Sequence, residues 1–135
     1  MAPVKPKVTF VTTTTPELLL KLQNGSDVRG VALEGVAGES VTMNEEATFL
    51  IAEAFVEWLA VALKKDVKDV VVAVGRDPRL SGPNLANACF AGFESAGCTR
   101  VVDLGIATTP ACFMSTISES TNYDAAVMLT ASHLP

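Results

Sequence analysis

Apolar residues are spaced along this chain in two rhythms. Short unbroken runs occur at 69–75 (Asp-Val-Val-Val-Ala-Val-Gly), 99–104 and 125–129 (Ala-Ala-Val-Met-Leu), each bounded by turn-type residues. Such runs fit strands covered on both faces, as in a parallel sheet. A fourth strand is predicted at 28–33, and an edge strand at 8–11. Between them the period changes to that of a helix. Residues 49, 51, 52, 55, 58, 59 and 62 form a broad apolar face in a helix ending near Lys64, with Trp58 among its core positions. Leu85, Ala86, Cys89, Phe90 and Phe93 form another, with Gly97 as its stop.

Capping residues punctuate the same order. Thr15 precedes Pro16 at the head of a short helix through Lys21, and Thr42-Met43-Asn44-Glu45 fits a capping box for the long helix, with Glu46 adding favourable charge. Ser81 with Pro83 opens the next helix. Thr108-Thr109-Pro110 opens a last one over about 111–118. The resulting alternation of strand and helix, with short connections, predicts an α/β fold: a three-layer α/β/α sandwich on a mostly parallel (mixed) sheet with right-handed crossovers. Residues 1–15 read as an N-terminal arm, with two prolines before a run of four threonines, and 16–135 as one domain.

Composition narrows the function. At 135 residues and 49% hydrophobic, the chain has enough apolar material for one core and too little length for two ordinary domains. A net charge of −5 argues against a general nucleic-acid binder. No run has the length of a membrane-spanning helix, and the start lacks the apolar centre of a signal peptide. Cys89, Cys98 and Cys112 have no metal-ligand spacing. They read as buried small hydrophobes in a reducing interior, which favours a soluble intracellular protein of cytoplasm or plastid.

Three polar segments carry candidate chemistry. Asn24-Gly25-Ser26-Asp27-Val28-Arg29-Gly30 is a turn on any reading, and an arginine between glycines also suits a phosphate. Arg76-Asp77-Pro78-Arg79-Leu80-Ser81-Gly82 joins a strand to a helix N-terminus, a plausible anion site. Asp77 is alternatively an ion-pair partner that pins the loop by holding Arg76 or Arg79. Thr130-Ala131-Ser132-His133-Leu134-Pro135 follows the last strand and puts a serine beside the chain's only histidine. In open α/β sheets the C-terminal strand ends are where ligands bind. The Gly-x-Ser-x-Gly elbow, the P-loop and Gly-x-Gly-x-x-Gly are all absent.

Taken together and in order, these three segments resemble those of the α-D-phosphohexomutases, the phosphoglucomutase/phosphomannomutase family. The last resembles its phosphoserine loop, the first its N-terminal arginine loop, and Val74-Gly75-Arg76-Asp77-Pro78-Arg79-Leu80-Ser81-Gly82 its segment after the next core strand. The likeness covers about 25–135, corresponding to the family's first domain. It implies an isomerase in carbohydrate metabolism that interconverts hexose 1- and 6-phosphates through a phosphoserine and a hexose 1,6-bisphosphate, which also serves as activator. On that resemblance Ser132 is the phosphoryl carrier, and through its phosphate a ligand of Mg²⁺. His133 assists proton transfer, Arg29 binds phosphate, and Arg76 and Arg79 lie near it in support. The implied partners are a phosphosugar and the remaining domains of a parent chain, with neither nucleic acid nor membrane. Leu134 departs from the asparagine more usual in the family. The family's metal-binding aspartates and sugar-selecting loop belong to later domains, so this segment alone is expected to be inactive. A non-catalytic phosphosugar-binding or interaction domain is the alternative; an unrelated phosphate-binding α/β domain is a third.

Overall fold

The computed structural model describes residues 13–132. The edge strand expected at 8–11 lies outside them. Three parallel strands form the central sheet: β3 (Val71–Arg76), β4 (Arg100–Ile106) and β5 (Ala125–Leu129), in the order β4-β3-β5. Ahead of them come α1 (Pro16–Lys21), a two-residue-per-strand antiparallel hairpin of β1 (Gln23–Asn24) and β2 (Asp27–Val28), and the long α2 (Glu45–Leu63). Helices α3 (Gly82–Ser95) and α4 (Thr109–Met114) make the two crossovers.

The strand order dictates the layers. The β3-α3-β4 connection moves one way along the sheet, and β4-α4-β5 moves back across β3. If both crossovers are right-handed, their helices must lie on opposite faces. Side-chain packing agrees. Val72 and Val74 join Cys89 and Phe93 of α3 and Val56 of α2 in one buried cluster. Gly75, on the opposite face of β3, is closed over by Ala107, Cys112 of α4 and Met128. The protein is therefore an α/β/α sandwich, with α2 packed against α3 as the outer part of one layer.

Several expectations need correction. Residues 28–33 do not form a sheet strand: pairing stops at Val28, and the following segment is held by Arg29 N–H on the Leu22 carbonyl (2.8 Å) and by the amides of Thr42 and Met43 on the Val31 carbonyl. The N-cap of α2 is Asn44 rather than Thr42; its Oδ1 accepts the Ala47 N–H at 2.8 Å, while the Thr42 hydroxyl accepts the Val31 N–H. Trp58 is 64% exposed. The buried side of α2 is instead built from Ala47, Ala52, Val56, Leu59 and Ala60, with Ala52 at the close approach of α3. The Ser81 position does begin α3, but without a side-chain cap; α4 is shorter than expected, although its Thr108 cap on Ala111 N–H is formed. Glu46 is buried, and its carboxylate accepts from the Thr13 amide and the Thr13 and Thr14 hydroxyls, which ties the end of the arm to α2.

At the opposite sheet edge from the candidate site, Asp124 locks the start of β5. Its amide donates to the Val71 carbonyl, its Oδ2 accepts the Val71 N–H (2.9 Å), and its Oδ1 meets Lys65 Nζ at 2.6 Å. Burial opposes ionisation of this carboxyl, but the bonds from Lys65 and Val71 and the charges of Lys65 and Arg100 outweigh it, leaving the pKa below the ordinary aspartate value. A pKa lowered on folding contributes stability above the unfolded value, lost as pH falls through the folded one. Asp124→Asn is therefore expected to cost about 1–2 kcal/mol at neutral pH. Thermal unfolding of wild type and variant should converge as pH falls below the ordinary aspartate range; parallel pH profiles would refute this role.

Candidate active site

Adjacent strands whose following helices lie on opposite faces leave a crevice between their C-terminal ends. Here β3 leads to α3 on one face and β4 to α4 on the other, so the crevice opens beyond Arg76 and Ile106. An open cleft of about 730 Å³ occupies it, lined by Asp77 and Pro78 after β3, Leu104 and Ile106 to Thr109 around the end of β4, and Met128 and Thr130 on β5 and its exit. A bulge shapes the β4 rim. Val74 pairs with Asp103 but Gly75 pairs with Gly105, so Leu104 is the extra residue. Gly105 takes φ +65°, and its amide donates to Asp103 Oδ1 at 2.7 Å. Sequence patterning does not reveal this bulge, since the run through Leu104 reads as an ordinary strand.

The parallel register of β3 and β5 pairs Arg76 with Leu129. It thereby sets Asp77 beside the segment leading to Ser132, 55 residues later in the chain. Asp77 N–H donates to the Leu129 carbonyl (3.0 Å), continuing the ladder by one bond. Its carboxylate accepts the Arg79 amide on Oδ1 (3.2 Å), and on Oδ2 both Arg79 Nε (3.0 Å) and the Ala131 amide (3.3 Å). Burial raises the pKa of this carboxyl, but the bonds from the Arg79 backbone and side chain, the Thr130 hydroxyl and the Ala131 amide bring it below the usual value. Of the pairings expected for Asp77, the one with Arg79 is formed.

Ser132 is exposed and sits at φ +65°, a left-handed conformation uncommon for a residue with a side chain. Its amide donates to the Thr130 hydroxyl at 3.1 Å. Ser132, Asp77 and Arg79 are thus joined through one short chain of bonds. Arg76, the last residue of β3, gives its carbonyl to the Ala107 amide and packs its side chain against Gly82; it has no ion-pair partner among the described residues. Arg29 is on the hairpin side, where its guanidinium meets Asp27 Oδ2 at 3.2 Å, both side chains being largely exposed. His133 lies outside the described residues.

The other titratable groups are structural. Burial pushes the Cys89 thiol up to about 12 and raises Cys98 and Cys112, so these sulfurs are protonated. Cys98 donates to the Val70 carbonyl. No cluster of three or more His, Cys, Asp or Glu side chains able to hold a metal occurs among the described residues. Both oxygens of Asp77 are already engaged. No helix among the described residues is long and apolar enough to cross a membrane.

An α/β/α domain with a strained, exposed serine at its C-terminal sheet edge, an arginine-bearing loop alongside and a cleft at the switch point belongs to the α/β proteins that act on ligands at that edge. Comparison places it further. Residues 20–135 match the family model "Phosphoglucomutase/phosphomannomutase, alpha/beta/alpha domain I", and the chain belongs to that family. Among curated proteins it is 38% identical over 119 residues to a phosphoglucosamine mutase of Leuconostoc citreum, covering 88% of this chain and 24% of the relative. It is 38% identical over 104 residues to a phosphoglucomutase/phosphomannomutase of Thermococcus kodakarensis (76% and 21%) and 34% identical over 104 residues to a phosphoglucomutase of Neisseria meningitidis serogroup B (76% and 20%). The chain spans between a fifth and a quarter of the length of these relatives. No solved structure matches it significantly. Membership of the family disposes of the reading as an unrelated phosphate-binding domain.

Proposed function

We propose that this chain is the first domain of a phosphohexomutase, and that Ser132 carries the phosphoryl group exchanged between hexose 1-phosphate and hexose 6-phosphate. The observation that supports this reading best is the placement of Ser132. It is exposed, held in a left-handed turn at the C-terminal edge of the sheet, in a chain whose relatives are mutases. The relatives' names divide between glucosamine phosphate and glucose or mannose phosphate chemistry, so the substrate is proposed as the class of hexose monophosphates.

In the proposed cycle, the free hydroxyl of a hexose monophosphate attacks the phosphorus of phospho-Ser132. The new O–P bond forms as the Ser132 Oγ–P bond breaks. The sugar hydroxyl gives up a proton, and Ser132 Oγ is left as the hydroxyl. After the hexose 1,6-bisphosphate turns over, Ser132 Oγ attacks its other phosphorus, loses its proton, and the isomeric monophosphate departs. Little covalent assistance is needed for such transfer; positioning and charge stabilisation dominate. The roles of the chain's own residues follow from that. Ser132 presents its oxygen in the open, and Arg29 and Arg76 supply positive charge for phosphate. Arg79 supports the loop through Asp77, and His133 moves the proton. The Ser132 phosphate, with ligands from the rest of the parent chain, would hold Mg²⁺, which would supply charge neutralisation there. Hexose 1,6-bisphosphate loads the serine at the start.

Peptide mass spectrometry of the full-length parent tests this. Incubated with a hexose 1,6-bisphosphate, it is expected to carry one phosphate on Ser132 and to lose it when hexose monophosphate is added. An unmodified Ser132 with Mg²⁺ present would instead support a non-catalytic, phosphosugar-binding domain.

A further inference from the structure

We infer that Asp77 is a positioning residue for Ser132: it clips the loop after β5 to the loop after β3 and so fixes where the serine oxygen is presented. This rests on the proposed reading of Ser132 as phosphoryl carrier, and goes beyond it by assigning the alignment of that carrier to a carboxylate on another loop.

Two amide bonds make the clip, beside the Thr130 hydroxyl bond to the same carboxylate. The Asp77 amide holds the Leu129 carbonyl and the Asp77 carboxylate holds the Ala131 amide. The residues on either side of Thr130 are thereby fixed to the one residue that follows the neighbouring strand. Thr130 in turn accepts the Ser132 amide, so the φ +65° turn at Ser132 is built on a base with little freedom. A non-glycine residue in that region persists where its surroundings impose it.

Charge sharpens the assignment. A lone carboxylate close to the proposed phosphoserine would repel it. Arg79 Nε sits on the same Asp77 oxygen that holds Ala131, so the pair is close to neutral and works as a strut. The pair is also partly exposed, with the two side chains 45% and 20% accessible for Arg79 and Asp77. Such pairs contribute little to global stability. Loss of alignment and loss of folding are therefore separable by experiment.

The test uses the full-length parent with three variants. Asp77→Ala is expected to lower kcat about 100-fold, the scale of a reacting group misplaced by roughly an ångström. KM for the hexose monophosphate should change little and thermal unfolding by only a few degrees. The single-turnover rate of phosphoryl transfer from phospho-Ser132 should fall by the same factor as kcat, which a merely structural role would not produce. If Asp77→Ala does not fold, Asp77→Asn serves. Its NH2 group replaces one of the two carboxylate oxygens and so meets donors, either the Arg79 amide or the Ala131 amide and Arg79 Nε, and a loss of about 10-fold is expected. A folded variant transferring phosphate at the wild-type rate would overturn the inference. Ser132→Ala separates the two layers. If Ser132→Ala keeps wild-type activity, the phosphoserine reading itself falls. If it is inactive while the Asp77 variants are normal, only the positioning role falls.

Discussion

Replacing Ser132 by alanine in the full-length parent is expected to lower mutase turnover by at least about 10⁴-fold, the scale seen when a nucleophile that acts as part of a unit is removed. The domain itself should remain folded. Ser132 is exposed and the bond fixing it is made by its amide, which alanine retains. A surface truncation of this kind changes stability by about 0.5 kcal/mol or less. Ser132→Gly makes the sharper control. The αL strain it relieves, about 1 kcal/mol, is roughly offset by the extra freedom glycine gives the unfolded chain. It should therefore lose activity as fully as alanine with an unchanged melting temperature. Steady-state rates with a hexose monophosphate, set beside a thermal scan, check both halves. Wild-type turnover in either variant would remove Ser132 from the proposed chemistry, since neither side chain can form a phosphoester.

The reach of the sequence is clearest in β5 and least in α2. The run Ala125–Leu129 is continuously apolar because it pairs with central β3 in a sheet covered on both sides, and its bounds can be read directly. Caps at Thr15 and Thr108 are legible for the same local reason: a short side chain reaches an amide three residues on. Helix α2 defeats periodicity because it is apolar on more than one side. The stripe that faces α3 is selected by closeness, so Ala52, Val56 and Ala60 are buried, while Trp58 and Val61 remain outside at 64% and 78% exposure. That selection depends on a glycine in another helix and cannot be seen from the α2 sequence. The site shows the same division. The serine, the arginines and the edge on which they fall are local facts. The bond from Asp77 to Ala131 depends on strand register, which joins positions that are far apart in the chain. The proposed pairing of Asp77 with an arginine was legible because Arg79 is two residues away, and it is formed.

That glycine supports the largest stability prediction. At Gly92, helix α3 lies directly against the backbone of α2. A methyl group there would lie 2.4 Å from the Phe49 carbonyl oxygen, 2.9 Å from the Ala52 Cβ and 3.0 Å from the Glu53 nitrogen. Carbon contacts are comfortable at about 3.5–4.0 Å, and two of these three neighbours are backbone atoms that no rotamer change can move. Gly92→Ala would have to push α2 away as a unit. The cluster of Ala52, Val56, Cys89 and Phe93 would then lose contact on both sides of the gap. Intrinsic propensity works the other way, favouring alanine in a helix interior by about 1 kcal/mol. The overpacking cost, at the upper end of its usual range or beyond it, outweighs that gain and leaves a net destabilisation of about 2–3 kcal/mol. The midpoint of urea unfolding should fall with an unchanged slope, since the surface exposed on unfolding is the same. A control is provided by Gly38→Ala. Gly38 has φ +78° but nothing within 4 Å of the added methyl group, so only backbone strain of about 1 kcal/mol is expected there. A Gly92→Ala protein as stable as wild type would mean that α2 and α3 are not in backbone contact at this point, and the packing of the outer layer would have to be redrawn.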